Sequence, residues 1–168
     1  ENEKLGGTIF TAAAEIEGAG GRALAVPCDI RDEAMIQDAV AKTAAAFGGI
    51  DIVINNASAI ALTKTGETKT NRFDLMHDIN VRGTFLVVKN CLPYLTRSPH
   101  AHILTLSPPV NLNPKWLGNH IAYTMSKYNM TMMAQGWAEE LKQVPVASNA
   151  LWPKTTIDTA AVRNLLGG

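Results

Sequence analysis

Tyr123 and Lys127 stand four positions apart in the stretch AYTMSKYNM, Ala122 to Met130. On a helix that spacing puts both side chains on one face, about one turn apart. A free phenol ionises near pH ~10. A neighbouring ammonium favours the phenolate and lowers that value, which brings proton exchange with a substrate oxygen within reach near neutrality. The same spacing arises by chance on many helices, so the pair needs partners elsewhere in the chain. Asp29 stands near the end of an alternating stretch, RALAVPCDI at 22–30. Asn55, Asn56, Ala57 and Ser58 follow the apolar run IDIVI, and Ser107 closes AHILTLS at 101–107. Small side chains such as Ala57 and Ser58 let a flat ligand approach the backbone, although asparagines also favour plain turns. A carboxylate at Asp29 is able to accept from an adenine amino group, or equally to cap a following helix. Asn80 falls in a long helical pattern, where a buried amide must find partners. There it would either bend the helix and hold a water, or sit at the surface.

These residues need elements to hold them. Residues 8–17 place Ile9, Phe10, Ala13 and Ile16 on one helical stripe, which GAGG at 18–21 stops. Leu24 and Val26 alternate as in a strand. From Asp32 to Phe47, Met35, Ile36, Ala39, Val40 and Phe47 recur at helical spacing, and Gly48-Gly49 ends the run. IDIVI (50–54) reads as a strand buried on both faces. Asn71 is a candidate cap for a helical segment to about Leu95, with Phe73, Leu75, Met76, Phe85, Leu86 and Val88 toward the core. Gly83 and Pro93 weaken it locally. After the strand at 101–107, a loop with Pro108, Pro109 and Pro114 leads to a helix over 120–142. A strand at 144–152 and a short helix at 158–166 complete the chain. Strict alternation of helix and strand argues for a doubly wound parallel sheet, an α/β Rossmann-like fold. Ligands of such sheets bind beyond the carboxyl ends of the strands, where Asp29, Asn55 to Ser58, Ser107 and Pro153 fall.

The chain has 168 residues, 46% of them hydrophobic and 18% charged, which suits one domain with a sizeable core. Fifteen lysines and arginines balance fifteen aspartates and glutamates, against a general nucleic-acid or anionic-membrane surface. No apolar run approaches the ~20 residues of a membrane helix, and no secretory signal opens the chain. Two cysteines, Cys28 and Cys91, make neither a disulfide framework nor a zinc site. A cytoplasmic protein is expected. His100 and His102 lack a third ligand at motif spacing, so no metal is expected.

NNAS after a strand, Asn80 in a long helix, a serine ending the next strand, YTMSK, and NALWPKT after the last strand occur in that order. Together they resemble the short-chain dehydrogenase/reductase family over nearly the whole chain. SPPVNLNPKW and NALWPKT further resemble its hydroxysteroid dehydrogenase-like 2 branch. The resemblance implies reversible hydride transfer between NAD or NADP and a carbonyl or alcohol substrate, a lipid-like molecule being one candidate. It implies Tyr123 as general acid/base, with Lys127 holding the nicotinamide ribose and depressing the Tyr123 pKa. Asn80 would support a water relay, and Ser107 would bind the substrate oxygen. Asp29 would face the adenine, with Asn56, Ala57 and Ser58 beside the cofactor ribose. Pro153, Lys154 and Thr156 would lie near the carboxamide and pyrophosphate. A homodimer or homotetramer through the helices at 71–95 and 120–142 is also implied.

The sequence departs from the family pattern in three places. A phosphate loop of the form T-G-x-x-x-G-x-G is not in it. GAGG at 18–21 follows a helix and precedes an extended stretch, whereas such a loop must follow a strand and open a helix. Residues 1–168 therefore read as one N-terminally incomplete domain. Pro108 follows Ser107, and Ser107 lies sixteen positions before Tyr123, so Asn111 or Asn113 is an alternative ligand for the substrate oxygen. Lys154 stands where the family usually has glycine. Trp116, Leu117 and Trp152 would line an apolar pocket or pack in the core. Met125, Met130, Met132 and Met133 would serve helix packing or an oligomer face. Two other functions remain open at this point: a non-catalytic member that binds nucleotide or a protein partner, and a sugar-nucleotide epimerase or dehydratase, which the short C-terminal part argues against.

Overall fold

The computed structural model describes residues 7–155, 157 and 158. They divide into two compact units: Cys28–Trp152, and residues 7–27 with the described residues from Pro153 on. In the smaller unit, helix α1 (Ile9–Gly18) is closed at its start by a reciprocal pair of bonds between Thr8 and Thr11. GAGG forms its exit turn, with Gly20 at φ 86° and the Gly21 N–H donating to the Ile16 carbonyl at 2.9 Å. Ile9, Phe10 and Ile16 are exposed. Residues 22–27 form no strand. Alternating side chains satisfy only half the requirement for a strand, and no described neighbour supplies the ladder of hydrogen bonds. The short helix expected at 158–166 lies outside the described residues.

The larger unit carries a parallel three-stranded sheet in the order β1 (Ile52–Asn55), β2 (Ala101–Leu106), β3 (Val146–Leu151). Asn55 pairs with Thr105, and Leu106 with Leu151, so the carboxyl ends of the strands lie side by side. Helices α4 (Thr84–Leu95) and α6 (Ile121–Glu140) pack on the sheet, and α2 (Glu33–Phe47) packs on α4. The core joins Val53, Ile103 and Val146 of the strands to Val88, Cys91 and Leu95 of α4 and to Trp137 of α6. β1 is buried on one face only: Val53 and Asn55 point inward, while Ile52 and Ile54 are each 59% exposed. The expectation of burial on both faces is therefore corrected. A continuous apolar run does not distinguish one covered face from two.

Helix caps follow the local chemistry. The Asp32 carboxylate, not that of Asp29, caps α2 by accepting from the Ala34 and Met35 N–H groups. Gly48 at φ 86° closes the same helix. Asn71 lies inside α3 (Thr70–Met76), whose start at Lys69 has no side-chain cap. Between α3 and α4 the rod continues as a π-helical segment, His77–Gly83. Met76, Leu86 and Val88 are buried as expected, but Phe73 and Phe85 are exposed, and Phe73 stacks on His77. A short helix, α5 (Pro114–Leu117), occupies the proline-bearing loop. No helix among the described residues is long and apolar enough to cross a membrane.

Candidate functional site

The π segment is the hub of the site. Asn80 is wholly buried, and its amide is bonded at both oxygen and nitrogen. Its Oδ1 accepts from the Ala59 N–H at 2.8 Å. Its Nδ2 donates to the Ala59 carbonyl and to Ser126 Oγ, both at 2.9 Å. One side chain thus fixes the loop after β1 and the first turns of α6. Three residues on, a Cβ on Gly83 would stand 2.7 Å from Ile30 Cδ1 and 3.1 Å from the Ile30 carbonyl. Arg82 donates to the Arg31 carbonyl at 2.6 Å. Loop 29–31 is therefore drawn against the same segment. Asn80 lies in the π segment, buried and bonded rather than at the surface. The protein takes both amide hydrogens and one of the two acceptor sites of the oxygen, which leaves a single lone pair.

Tyr123 and Lys127 stand in the first and second turns of α6, one turn apart as their spacing implies, but their chemistry follows expectation only in part. The Lys127 ammonium donates to the Leu106 carbonyl, the last of β2, at 2.6 Å. Burial pushes its pKa down to about 8. Burial also raises the Tyr123 phenol above its ordinary value, and a hydrogen bond with the Ser58 side chain works in the opposite direction. The expected depression of the Tyr123 pKa by Lys127 is thus not met in the protein alone. Desolvation disfavours the phenolate, and the ammonium is bonded to β2 rather than to the phenol.

Ser107 is only 2% exposed. Thr131 Oγ1 lies 2.8 Å from Ser107 Oγ and 2.6 Å from the Pro108 carbonyl. A carbonyl only accepts, and a threonine hydroxyl has one hydrogen. The consistent arrangement has Thr131 donating to Pro108 and Ser107 donating to Thr131. Ser107 is a brace between β2 and α6 and is not presented to a ligand. The loop asparagines are partly committed too. Asn111 Oδ1 accepts from the Asn113 N–H at 2.9 Å, and Asn113 Oδ1 caps α5 through the Lys115 N–H at 3.1 Å. The Tyr128 hydroxyl donates to the Asn111 carbonyl at 3.0 Å.

Asn56, Ala57 and Ser58 are exposed just beyond β1, and Asn55 Nδ2 donates across the sheet to Thr105 Oγ1 at 3.2 Å. Asp29 grips Arg31: the guanidinium Nε lies 2.9 Å from its Oδ1, and this partner lowers the carboxyl pKa to about 2. Pro153 and Lys154 are exposed in the smaller unit, and Thr156 lies outside the described residues. Trp116 and Trp152 are exposed rather than core residues, while the methionines divide: Met130 is fully buried, Met125 and Met132 are exposed. Sequence reasoning missed Ser126, Thr131, Arg82 and Gly83. The available signal was polar and small residues at helical spacing around Lys127 and Asn80, on faces that had to be buried.

Comparison with known proteins agrees with this architecture. A family model described as short chain dehydrogenase matches residues 6–166. The chain belongs to the short-chain dehydrogenase family and has its oxidoreductase fold. Within it, the chain is 60% identical over 165 residues to hydroxysteroid dehydrogenase-like protein 2 of Xenopus laevis, and 58% identical to that of Homo sapiens, in each case over 98% of this chain. It spans 39% of the length of these relatives. A short chain dehydrogenase structure from Mycobacterium thermoresistibile is 56% identical with a TM-score of 0.93, covering 100% of this chain and 60% of that one. A metagenomic short-chain oxidoreductase solved in complex with NADP is 26% identical with a TM-score of 0.79, covering 94% of this chain and 73% of that one.

Proposed function

We propose that the chain serves an NAD- or NADP-dependent oxidoreductase that moves a hydride between nicotinamide and a carbonyl/alcohol pair, with Tyr123 as general acid/base. The observation that carries this reading is the placing of Tyr123 and Lys127 one turn apart on α6, with the Lys127 ammonium held at the carboxyl end of β2. The bound nucleotide would supply or accept the hydride. The residues present fit it: Asn56, Ala57 and Ser58 offer an exposed, small-residue shelf, and Lys127 has two N–H groups beyond the one given to Leu106. In this reading Lys127 holds ribose hydroxyls and Asp29 lies toward the adenine. Asn80 holds the shelf in place. Its proposed water would bond to the backbone of the π segment or to the second lone pair of the Asn80 oxygen. Ser107 enters as the brace of β2.

An apolar, lipid-like substrate is supported by the exposed Leu112, Trp116 and Trp152 on the loops that follow β2 and β3. Exposed Phe73, Phe85, Met125 and Met132 along α3, α4 and α6 support a homodimer or homotetramer. The balanced charge suits a cytoplasmic setting without nucleic-acid or membrane partners. The alternative, a member that binds nucleotide or a partner without catalysis, draws on the buried Ser107 and the raised Tyr123 pKa. Nicotinamide absorbance, followed with the full-length protein against aldehydes, ketones and fatty alcohols, separates the two. Cofactor binding without turnover of any substrate would favour the alternative.

A further inference from the structure

We propose that three hydroxyls of α6, those of Thr124, Tyr128 and Thr131, lay the loop after β2 alongside Tyr123 and Lys127, and that Tyr128 is the positioning residue that fits this loop to the apolar chain of a substrate. This deepens the oxidoreductase reading and rests on it. Residues spaced i, i+4 and i+7 share one face of a helix. Thr124 and Tyr128 each directly follow a member of the Tyr123–Lys127 pair. The hydroxyl stripe therefore lies about 100° around the helix from that pair.

The loop meets the stripe in reverse order. Thr131 Oγ1 holds the Pro108 carbonyl at 2.6 Å. The Tyr128 hydroxyl takes both backbone groups of Asn111, donating to the carbonyl at 3.0 Å and accepting from the N–H at 3.3 Å. Thr124 Oγ1 reaches the Trp116 carbonyl at 3.5 Å, the loosest of the set. Between these points the loop is bonded to itself. Asn111 Oδ1 accepts from the Asn113 N–H, Asn113 Oδ1 accepts from the Lys115 N–H, and the Trp116 N–H donates to the Asn113 carbonyl at 3.0 Å. A loose loop loses conformational freedom when it closes on a ligand. This one is ordered beforehand, which favours binding.

Leu112 shows the consequence. The backbones of both its neighbours are bonded, and its side chain stands 77% exposed, in one loop with exposed Val110 and Trp116. The loop leaves the carboxyl end of β2, where ligands of a parallel sheet bind. The Lys127 ammonium is held at that same end by the Leu106 carbonyl. Tyr128 grips both backbone groups of the residue before Leu112, so it has the most direct control over where that side chain stands.

The test uses the full-length protein with straight-chain aldehydes and alcohols of increasing length. Wild-type kcat/KM should rise with chain length. Tyr128→Phe keeps the ring and removes the hydroxyl. It should raise KM for the longest chains about tenfold, with kcat moving far less, and so flatten the length preference. Amide exchange should quicken at Asn111 and Asn113. Thr131→Val should act in the same direction, and Thr131→Ser should restore the wild-type preference. Should Thr131→Val fail to fold, Tyr128→Phe decides the matter. A length preference unaltered in Tyr128→Phe would overturn the assignment and leave the oxidoreductase reading standing. A fall in kcat equal for every chain length, or a wild type indifferent to chain length, would do the same. Absence of turnover in the wild-type protein would overturn the oxidoreductase reading and this assignment with it.

Discussion

The Lys127 ammonium bonds to the Leu106 carbonyl at 2.6 Å, joining the middle of α6 to the last residue of β2. The bond holds a charge in a site where burial lowers the pKa from 10.5 to about 8. Between those two values the unfolded chain keeps a proton that the folded chain has released. Lys127 therefore makes stability rise with pH across that window, and the cost of burying the charge is felt in full below it. The contribution is about 3 kcal/mol at most. Lys127→Met abolishes it. Urea unfolding of both proteins at pH 7, 9 and 10.5 should show the variant losing ground to the wild type as pH rises. A difference that is constant with pH would contradict the buried-charge account.

Tyr123→Phe should cost about 10²–10⁴ in kcat while cofactor affinity is kept, as fluorescence titration of the nucleotide would show. Because burial holds the phenol above its ordinary pKa, the free enzyme keeps it protonated through neutrality. Alcohol oxidation needs the phenolate, so its kcat/KM should climb with pH into the alkaline range. Carbonyl reduction needs the phenol, so its kcat/KM should be flat through neutrality. Initial rates in both directions across pH 6–10 measure this directly.

Asn80→Ala would strip partners from both backbone groups of Ala59 and from Ser126 Oγ. The expected loss is about 2–4 kcal/mol of stability. Amide exchange should accelerate most at Ala59, whose N–H is held by Asn80 alone. Exchange at Ala59 unchanged relative to the sheet would show that something else holds the loop.

Gly83→Ala puts a methyl group against Ile30, with the Ile30 carbonyl only 3.1 Å from the new carbon. Alanine ordinarily favours helices over glycine by about 1 kcal/mol. Here overpacking should win, for a net loss of about 1–2 kcal/mol. Ile30→Ala removes the clashing side-chain atoms, so in a double-mutant cycle it should recover part of that loss. Additive effects of the two changes would place the strain elsewhere.

Much of the frame was legible because it depends on short-range periodicity. The Tyr123–Lys127 spacing and the Gly48 stop are local facts about the chain, whereas the spacing left open whether Asn80 is buried or at the surface. The long-range ones were not. Ser107 looked available because a strand end usually faces a ligand, but its hydroxyl is claimed by Thr131, 24 residues later. Lys127 was expected to act on Tyr123, and a backbone carbonyl on another element competes for it. The buried face of α6 was obscured for a related reason. It carries Ser126, Lys127 and Thr131, each satisfied by a partner from a different segment. A hydrophobicity pattern cannot record such a seam. The exposure of Phe73 and Phe85 was hidden because the change of helical pitch at 77–83 sets which face each half of the rod presents.

That change of pitch also limits how the chain can tolerate insertions and deletions. A π turn amounts to one surplus residue wound into a helical rod. Deleting a single residue between His77 and Gly83 would let an ordinary α-helix heal across the gap, with every backbone bond restored. The flanks would stay in phase, because seven residues of the wider π winding turn the rod about as far as six residues of an α-helix at about 100° each. Met76, upstream, would keep its face relative to Val88, Cys91 and Leu95 of α4. The loss would fall inside the segment: the healed helix would be the more regular object, yet it would not keep Asn80, Arg82 and Gly83 all on the faces that meet Ala59, Arg31 and Ile30.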